Sequence, residues 1–221
     1  MDVEQIKRKY RRNARFYGFW EGLFRKFREQ AIDRLSLRPG DVVLDIGCGT
    51  GLSFDLVEQA IGPQGQIIGV EVSPDMLARA QEKVAREGWT NVTLLEANAE
   101  EVKLEPESVD AVLSYYTHDI MTSRRAVERA VCALRPSGNF MAAGSKRAVG
   151  LRGLLLNQIT LAYSRPFITN TSGTTRPWAH LEDLLGPLNV EERLWGSIYI
   201  AYGVKQMTQE EPDNVTASIA R

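Results

Sequence analysis

Short apolar runs and longer amphipathic segments alternate through the middle of the chain. Five runs have the length and composition of strands, at residues 42–46, 66–72, 92–96, 109–115 and 139–144. The intervening segments at residues 52–59, 74–86 and 124–134 have the apolar spacing of helices. Several runs are apolar at nearly every position, as expected when helices cover both faces of a sheet. The pattern therefore predicts a doubly wound, mostly parallel α/β sheet with right-handed crossovers.

The pattern changes after Gly144. Residues 146–187 contain an apolar helix-like piece at 151–163, a polar loop and a helix at 179–185. Strand-like runs at 190–195 and 198–204 flank Gly196-Ser197, which predicts a C-terminal antiparallel hairpin and about seven strands in all. Residues 205–221 are polar and acidic, and we expect a disordered tail there.

Before the first strand, apolar residues recur at spacings of three and four. They are Phe16, Trp20, Leu23, Phe24, Phe27, Ala31 and Leu35. This spacing predicts an amphipathic helix with its Arg and Lys side chains on the opposite face, in solvent. Residues 1–30 carry nine basic and four acidic side chains, whereas the whole chain has a net charge of -1. Two interpretations follow: a lid packed over a pocket, which we favour, or an arm that contacts an anionic membrane.

Composition narrows the classes of function. A chain of 221 residues with 43% hydrophobic and 25% charged residues corresponds to one globular domain. The body of the chain is acidic, which argues against nucleic acid as a partner. Two cysteines and two histidines cannot build a disulfide framework or a four-ligand zinc site, so we expect no metal. No stretch reaches the roughly 20 apolar residues of a membrane span, and we expect a cytoplasmic protein.

The most informative motif is a glycine-rich turn after the first strand. It reads G-x-G-x-G at Gly47, Gly49 and Gly51, with Asp45 two residues before it. A dinucleotide fingerprint would need glycine at position 52, where the chain has Leu52. A carboxylate at Asp45 disfavours a pyrophosphate and favours a ligand that carries an ammonium group. The alternative is a tight strand-to-helix connection with no ligand.

Two further polar residues follow neighbouring strands. Glu71 ends the second strand about 20 residues beyond the glycines, where an acid can accept hydrogen bonds from a ribose diol. It can equally cap the helix that begins near Ser73. Asn98 follows the third strand, either beside an adenine or as a turn residue.

These motifs together resemble the class I S-adenosylmethionine-dependent methyltransferases. The resemblance covers roughly residues 40–145 and includes the fourth-strand segment 108–113 and the Leu-Arg-Pro-Ser-Gly turn at 134–138. It implies a Rossmann-like sheet with the predicted hairpin, and S-adenosylmethionine as cofactor. The cofactor contacts that it implies are Asp45, Gly47, Cys48, Gly49, Gly51, Glu71, Val72, Asn98, Ala99, Ser114 and Tyr17.

The acceptor side of the reaction is expected just beyond the fourth strand, at residues 114–119. Histidine is the residue type best suited to act as a general base at neutral pH, which makes His118 a candidate, and Asp119 can orient it. Alternatively, His118 packs at the start of a helix, and Tyr115 is either catalytic or part of the pocket lining. The apolar insertion at 146–187 suggests a small lipophilic acceptor, although a core helix explains residues 151–163 equally well.

The N-terminal segment carries Tyr10, Ala14 and Tyr17 in a Tyr-x-x-x-Ala-x-x-Tyr spacing. It resembles the lid of quinone-biosynthesis C-methyltransferases and of bacterial phosphatidylethanolamine N-methyltransferases, which would bring Tyr17 near the methionine end of the cofactor. In those enzymes an aspartate usually follows the second tyrosine, whereas this chain has Gly18 there. The predicted organisation is a lid at 1–38, a cofactor-binding domain at 39–204 and the tail. The predicted function is methyl transfer to an amine, phenol, lipid headgroup or quinone precursor; the alternative is a non-catalytic partner subunit.

Overall fold

The computed structural model describes residues 17–148 and 175–207, with side chains from Arg25 onward in the first helix. The strands are β1 Val42–Ile46, β2 Gln66–Glu71, β3 Val92–Glu96, β4 Val109–Tyr115, β5 Leu134–Ser145, β6 Asn189–Arg193 and β7 Ile198–Val204. The described helices are α1 Tyr17–Asp33, α2 Phe54–Ile61, α3 Pro74–Glu87, α4 His118–Met121, α5 Arg124–Ala133 and α6 Ala179–Leu185.

The strands form one seven-stranded sheet in the order β3-β2-β1-β4-β5-β7-β6. Strands β1 to β5 pair in parallel, and β7 runs antiparallel to both β5 and β6. Apolar residues of the central strands alternate between two buried clusters, one on each face of the sheet. This arrangement confirms the predicted Rossmann-like doubly wound sheet with its closing hairpin.

Three element boundaries in the structure differ from the predicted ones. Strand β5 begins at Leu134 and runs through the expected turn, with an irregularity in its pairing to β4. Strand β6 ends at Arg193 because Leu194 and Trp195 have positive φ angles of 47° and 54°, which removes them from an extended ladder. Lys205, predicted to begin the disordered tail, still donates its backbone N–H to the Gly138 carbonyl. Residues 208–221 lie outside the described part of the chain.

Helix α1 packs on the sheet through one apolar face. Phe27, Ala31 and Ile32 join the cluster that β1 and α2 also line. The expectation that every basic residue of this helix faces solvent was wrong at one position, because the Arg28 side chain is buried. Arg25, one turn earlier, is exposed and pairs with Glu29. The aromatic and basic faces of the helix therefore meet at Arg28.

Candidate active site

The strand order reverses between β1 and β4. Connections from β1 lead outward to β2 and β3 on one side, and the chain then returns to β4 on the other. In open α/β sheets, a crevice for ligands lies beyond the carboxyl ends of the strands at such a reversal. The glycine-rich turn, residues 47–51, follows β1 at this edge. The candidate site is therefore the carboxyl edge around β1, with β2 and β4 beside it.

The glycine turn is fixed to β2 by backbone hydrogen bonds. The carbonyl of Val70 accepts the N–H groups of Gly47 at 2.8 Å and Cys48 at 3.0 Å. Gly47, Gly49 and Gly51 have φ angles of 85°, 58° and 73°. L-residues with side chains rarely adopt these angles, so glycine at alternate positions lets the chain reverse within five residues.

Gly47 also permits a close approach by the segment after β4. A Cβ atom at this position would lie 2.5 Å from Thr117 Cγ2 and 2.8 Å from Ile120 Cδ1. Both distances are far below van der Waals contact. The glycine turn and the start of α4 therefore pack directly against each other, which brings two separately predicted parts of the site together.

Lys83 of α3 stabilises the glycine turn through its side chain. Its buried ammonium group donates to the carbonyl of Gly51 at 3.0 Å and also pairs with the Asp55 carboxylate. Lys83 was not among the site residues predicted from the sequence. Lys83 and Gly51 are 32 positions apart, and a lysine on an amphipathic helix has no local signal that distinguishes it from a solvated one.

Glu71 ends β2 beneath the same turn. Its carboxylate accepts the backbone N–H of Gly49 at 3.0 Å and that of Ser73 at 2.8 Å. Burial raises the pKa of this carboxyl, and the amide hydrogen bonds oppose that shift. The bond to Ser73 is the helix-start contact anticipated as an alternative. Each carboxylate oxygen retains a second acceptor position, so this contact leaves room for a ligand hydroxyl. Val72, the next residue, is half-buried.

Asp45 is the most unusual carboxylate in the described structure. It is 2% exposed, and its Oδ2 atom has no hydrogen-bond partner among the described residues. Burial raises the pKa of Asp45 to about 7; the positive charge of Arg28 opposes that rise and the negative charge of Glu71 adds to it. Burial likewise raises the pKa of the neighbouring Cys48 thiol, so this cysteine is not a reactive thiolate. An unsatisfied buried carboxylate at a crevice is suited to a cationic ligand group.

Asn98 and Ala99 follow β3 at the same edge. The Asn98 side-chain oxygen accepts the backbone N–H of Glu100 at 3.0 Å, so its carbonyl has the turn role anticipated as one alternative. The amide nitrogen of Asn98 is not used in that bond. Ala99 is buried in the hydrophobic cluster that also contains Leu44 and Ile46 of β1.

At the end of β4, Ser114 is buried and its hydroxyl hydrogen-bonds the hydroxyl of Thr117. Tyr116 has a positive φ of 59° and donates its backbone N–H to the Ala143 carbonyl at 2.7 Å. A bulky residue in the left-handed region costs free energy and is concentrated at functional sites. His118 is the first residue of α4, where it is half-buried and its carbonyl accepts the N–H of Thr122.

An aromatic cluster connects α1 to this segment. The ring of Tyr115 lies 5.0 Å from that of Tyr116 and 6.0 Å from that of Phe27, and the Arg28 guanidinium lies over Tyr115 at 4.8 Å. Such offset and tilted ring pairs stabilise one another beyond the area that they bury. Tyr115, predicted either as a catalytic residue or as part of the pocket lining, belongs to this aromatic wall of Phe27, Tyr115 and Tyr116. Tyr17 is the first residue of α1, but its side chain lies outside the described structure.

A second aromatic pair lies where β5 meets β7. Trp178 and Tyr199 have ring centres 4.9 Å apart, and the ammonium of Lys146 is 5.8 Å from the Trp178 ring. Lys146 is buried and pairs with Glu192 at 2.9 Å. Most of the predicted substrate-covering insertion, residues 149–174, lies outside the described residues.

The sequence comparisons agree with this geometry. Residues 43–138 match the family model described as a methyltransferase domain. The chain is 33% identical over 104 residues to an arsenite methyltransferase from Halobacterium salinarum, a match that covers 47% of this chain and 27% of that protein. It is 30% identical over 126 residues to a demethylmenaquinone methyltransferase from Symbiobacterium thermophilum, covering 56% and 49%. The chain thus spans about a quarter to a half of the length of these relatives.

Among solved structures, a SAM-dependent methyltransferase from Thermotoga maritima superposes with a TM-score of 0.66 at 19% sequence identity, covering 90% of this chain and 99% of that one. At that identity the likeness concerns the fold. Residues 43–138 form a class I S-adenosylmethionine-dependent methyltransferase domain. S-adenosylmethionine is the cofactor of this domain.

No helix within residues 17–148 and 175–207 combines the length and the apolar character needed to cross a membrane. Within the same ranges, no cluster of three or more His, Cys, Asp or Glu side chains is arranged to hold a metal ion.

Proposed function

We propose that this protein transfers the methyl group of S-adenosylmethionine to a small lipophilic acceptor that binds beside β4. The observation that carries the proposal is the buried pair of carboxylates, Asp45 and Glu71, around a glycine turn at the strand reversal. Asp45 offers an unpartnered oxygen to an ammonium group, and Glu71 offers acceptor positions to ribose hydroxyls. A ligand with both groups is required, and S-adenosylmethionine has both.

When bound, the cofactor supplies an electrophilic methyl group on a positively charged sulfur. The chain's own residues then have three tasks: to hold the cofactor, to align the acceptor and to exclude water. In this proposal Asp45, Glu71, Val72 and Asn98 hold the cofactor, and the backbone of the glycine turn approaches it closely. The wall of Phe27, Tyr115 and Tyr116 gives the acceptor side an apolar surface, which supports a lipophilic acceptor.

If the acceptor is a phenol or an ammonium ion, a base must remove its proton. We assign this role to His118, because its position at the start of α4 lies beside the glycine turn. The matched control is His180 in α6, the other histidine of the chain. His118→Ala should lower turnover about 100-fold, within the usual range for a general base, and leave cofactor affinity unchanged. His180→Ala should leave both unchanged. Equal turnover in the two variants would remove His118 from the mechanism.

Two measurements test the proposal as a whole. Calorimetric titration with S-adenosylhomocysteine should give saturable binding; absence of binding at millimolar ligand would refute it. A panel with an aromatic amine, a catechol, a phosphatidylethanolamine vesicle and a demethylated quinone, followed by S-adenosylhomocysteine release, then identifies the acceptor class. Tight cofactor binding without turnover on any acceptor would favour a non-catalytic partner subunit.

A quinone precursor is the second candidate acceptor. The demethylmenaquinone methyltransferase of Symbiobacterium thermophilum is 30% identical to this chain over 126 residues, and the aromatic wall suits a flat ring. The arsenite methyltransferase at 33% identity acts, as its name states, on a very different acceptor. Preferential turnover of the demethylated quinone in the panel would favour this candidate over an amine or a phenol.

A further inference from the structure

Arg28 differs from the other basic residues of α1 whose side chains are described. Arg25 is exposed over 68% of its side chain and pairs with Glu29, whereas Arg28 is only 6% exposed. Among the described residues, the Nε atom of Arg28 has no hydrogen-bond partner, and the ion pairs include none that involves this residue. A buried guanidinium with no acceptor is costly unless a ligand supplies one.

Arg28 lies close to two residues of the candidate cofactor site, Tyr115 and Asp45. Its guanidinium carbon lies 4.8 Å from the centre of the Tyr115 ring, and Tyr115 ends β4 two residues after Leu113, which pairs with Asp45. Its charge acts on Asp45, yet the two side chains form no ion pair within 4.0 Å in the described structure. A positive group and a negative group are thus buried near each other, and neither satisfies the other.

A ligand that satisfies both Arg28 and Asp45 must carry a negative and a positive group close together. The methionine end of S-adenosylmethionine does so, because one carbon atom carries an ammonium group and a carboxylate. A guanidinium can bind a carboxylate with two parallel hydrogen bonds, and contact with an aromatic ring holds it in place without using those donors.

We propose that Arg28 binds the carboxylate at the methionine end of the cofactor, opposite Asp45, which takes the ammonium group. The inference rests on the proposed function and adds to it a specificity residue from outside the matched segment 43–138. It makes α1 part of the cofactor site. It also predicts that the site discriminates against adenosyl ligands that lack the carboxylate.

The test compares S-adenosylmethionine with decarboxylated S-adenosylmethionine, which keeps the sulfonium and the ammonium group. Affinities of both ligands are measured by calorimetry for the wild type and for Arg28→Met, which keeps the length and apolar stem of the side chain. Wild type should bind S-adenosylmethionine about 30-fold or more tightly than the decarboxylated ligand, the scale expected for one buried charge pair. Arg28→Met should lose that preference and bind the decarboxylated ligand as wild type does.

Arg25→Met is the matched control, one turn away on the same helix, and should keep the full preference. Arg28→Lys retains a charge and should keep part of it, which maintains the test if the Met variant fails to fold. Equal weakening of both ligands in the Arg28 variants would overturn the proposal and make Arg28 a packing residue. So would a wild type that binds both ligands equally. A wild type that binds neither ligand refutes the proposed function itself, whereas the first two results leave it standing.

Discussion

The two sides of the strand reversal are built differently. The cofactor half, which comprises β1 to β3 and the loops that follow them, is held by backbone hydrogen bonds between residues 47–51 and Val70 and by the Glu71 carboxylate. The proposed acceptor half, which comprises β4, β5 and β7 and the segments packed on their carboxyl ends, is held by ring contacts. Those contacts join Phe27 to Tyr115, and Trp178 to Tyr199.

Backbone hydrogen bonds depend on chain geometry, so a short motif with glycine at fixed positions is enough to specify them. Ring contacts depend on volume and shape, and many sequences can supply them. The cofactor half is therefore recognisable across distant relatives, and the matched family segment, residues 43–138, begins within β1 and ends within β5. The difference explains why similarity between sequences identifies the cofactor more readily than the acceptor.

The largest expected effect is at Gly47. Gly47→Ala would place a Cβ atom 2.5 Å from Thr117 Cγ2 at a φ of 85°. Strain and overpacking together should cost about 3–5 kcal/mol in the free energy of unfolding and abolish measurable S-adenosylhomocysteine binding. Chemical denaturation and calorimetry measure the two effects.

Gly88→Ala is the control for that variant. Gly88 has a φ of 71°, and nothing lies within 4 Å of an added Cβ. Its cost should be about 1 kcal/mol, with cofactor affinity unchanged. If the two variants lost equal stability and equal affinity, tight packing at the glycine turn would not distinguish the cofactor half.

The next effect is at Asp45, the buried carboxylate of the cofactor half. The pKa of Asp45 rises from 3.8 to about 7 in the folded protein because of burial. Between these values the folded state binds more protons than the unfolded state, so its stability falls as the pH rises from about 4 to about 7. Asp45→Asn removes this penalty and should stabilise the ligand-free protein by about 2–4 kcal/mol at pH 8, with little change at pH 4. Thermal unfolding across this pH range measures it.

The same substitution should weaken S-adenosylmethionine binding at pH 8. In the wild type, cofactor affinity should increase as the pH rises through about 7, because Asp45 must be ionised to hold the ammonium group. Arg28, Glu71 and Cys48 are the titratable groups that act on Asp45 or lie beside it. A pH-independent affinity, or a destabilised Asp45→Asn protein, would contradict this account.

A smaller effect is expected at Lys83, which tests whether the cofactor half also depends on distant side chains. Lys83→Met removes the hydrogen bond to the Gly51 carbonyl and should cost about 1–2 kcal/mol and weaken S-adenosylhomocysteine binding several-fold. Arg86→Met on the same helix removes only an exposed pair with Glu87 and should change stability by less than about 0.5 kcal/mol. Unchanged cofactor affinity in Lys83→Met would mean that the glycine motif is sufficient on its own.

Sequence patterns located the strands well, because apolar runs buried on both sides leave little freedom in their assignment. They failed where local conformation overrides composition. Trp195 has the composition of a strand residue but a positive φ, and it lies in the hairpin turn. Arg28 has the composition of a solvated helix face but is buried over Tyr115. In both cases the deciding contact or dihedral angle is absent from the local pattern.

The sequence by itself determined the alternation of strands and helices, the glycine turn and the positions of Asp45 and Glu71 at strand ends. These features follow from periodicity and from spacing along one stretch of chain. Only the tertiary structure decided that Thr117 packs against Gly47, that Lys83 holds the Gly51 carbonyl and that the charge of the buried Arg28 acts on Asp45 without an ion pair between them. Those contacts join residues that the packing of helices on the sheet brings together. Local spacing along the chain does not encode such contacts.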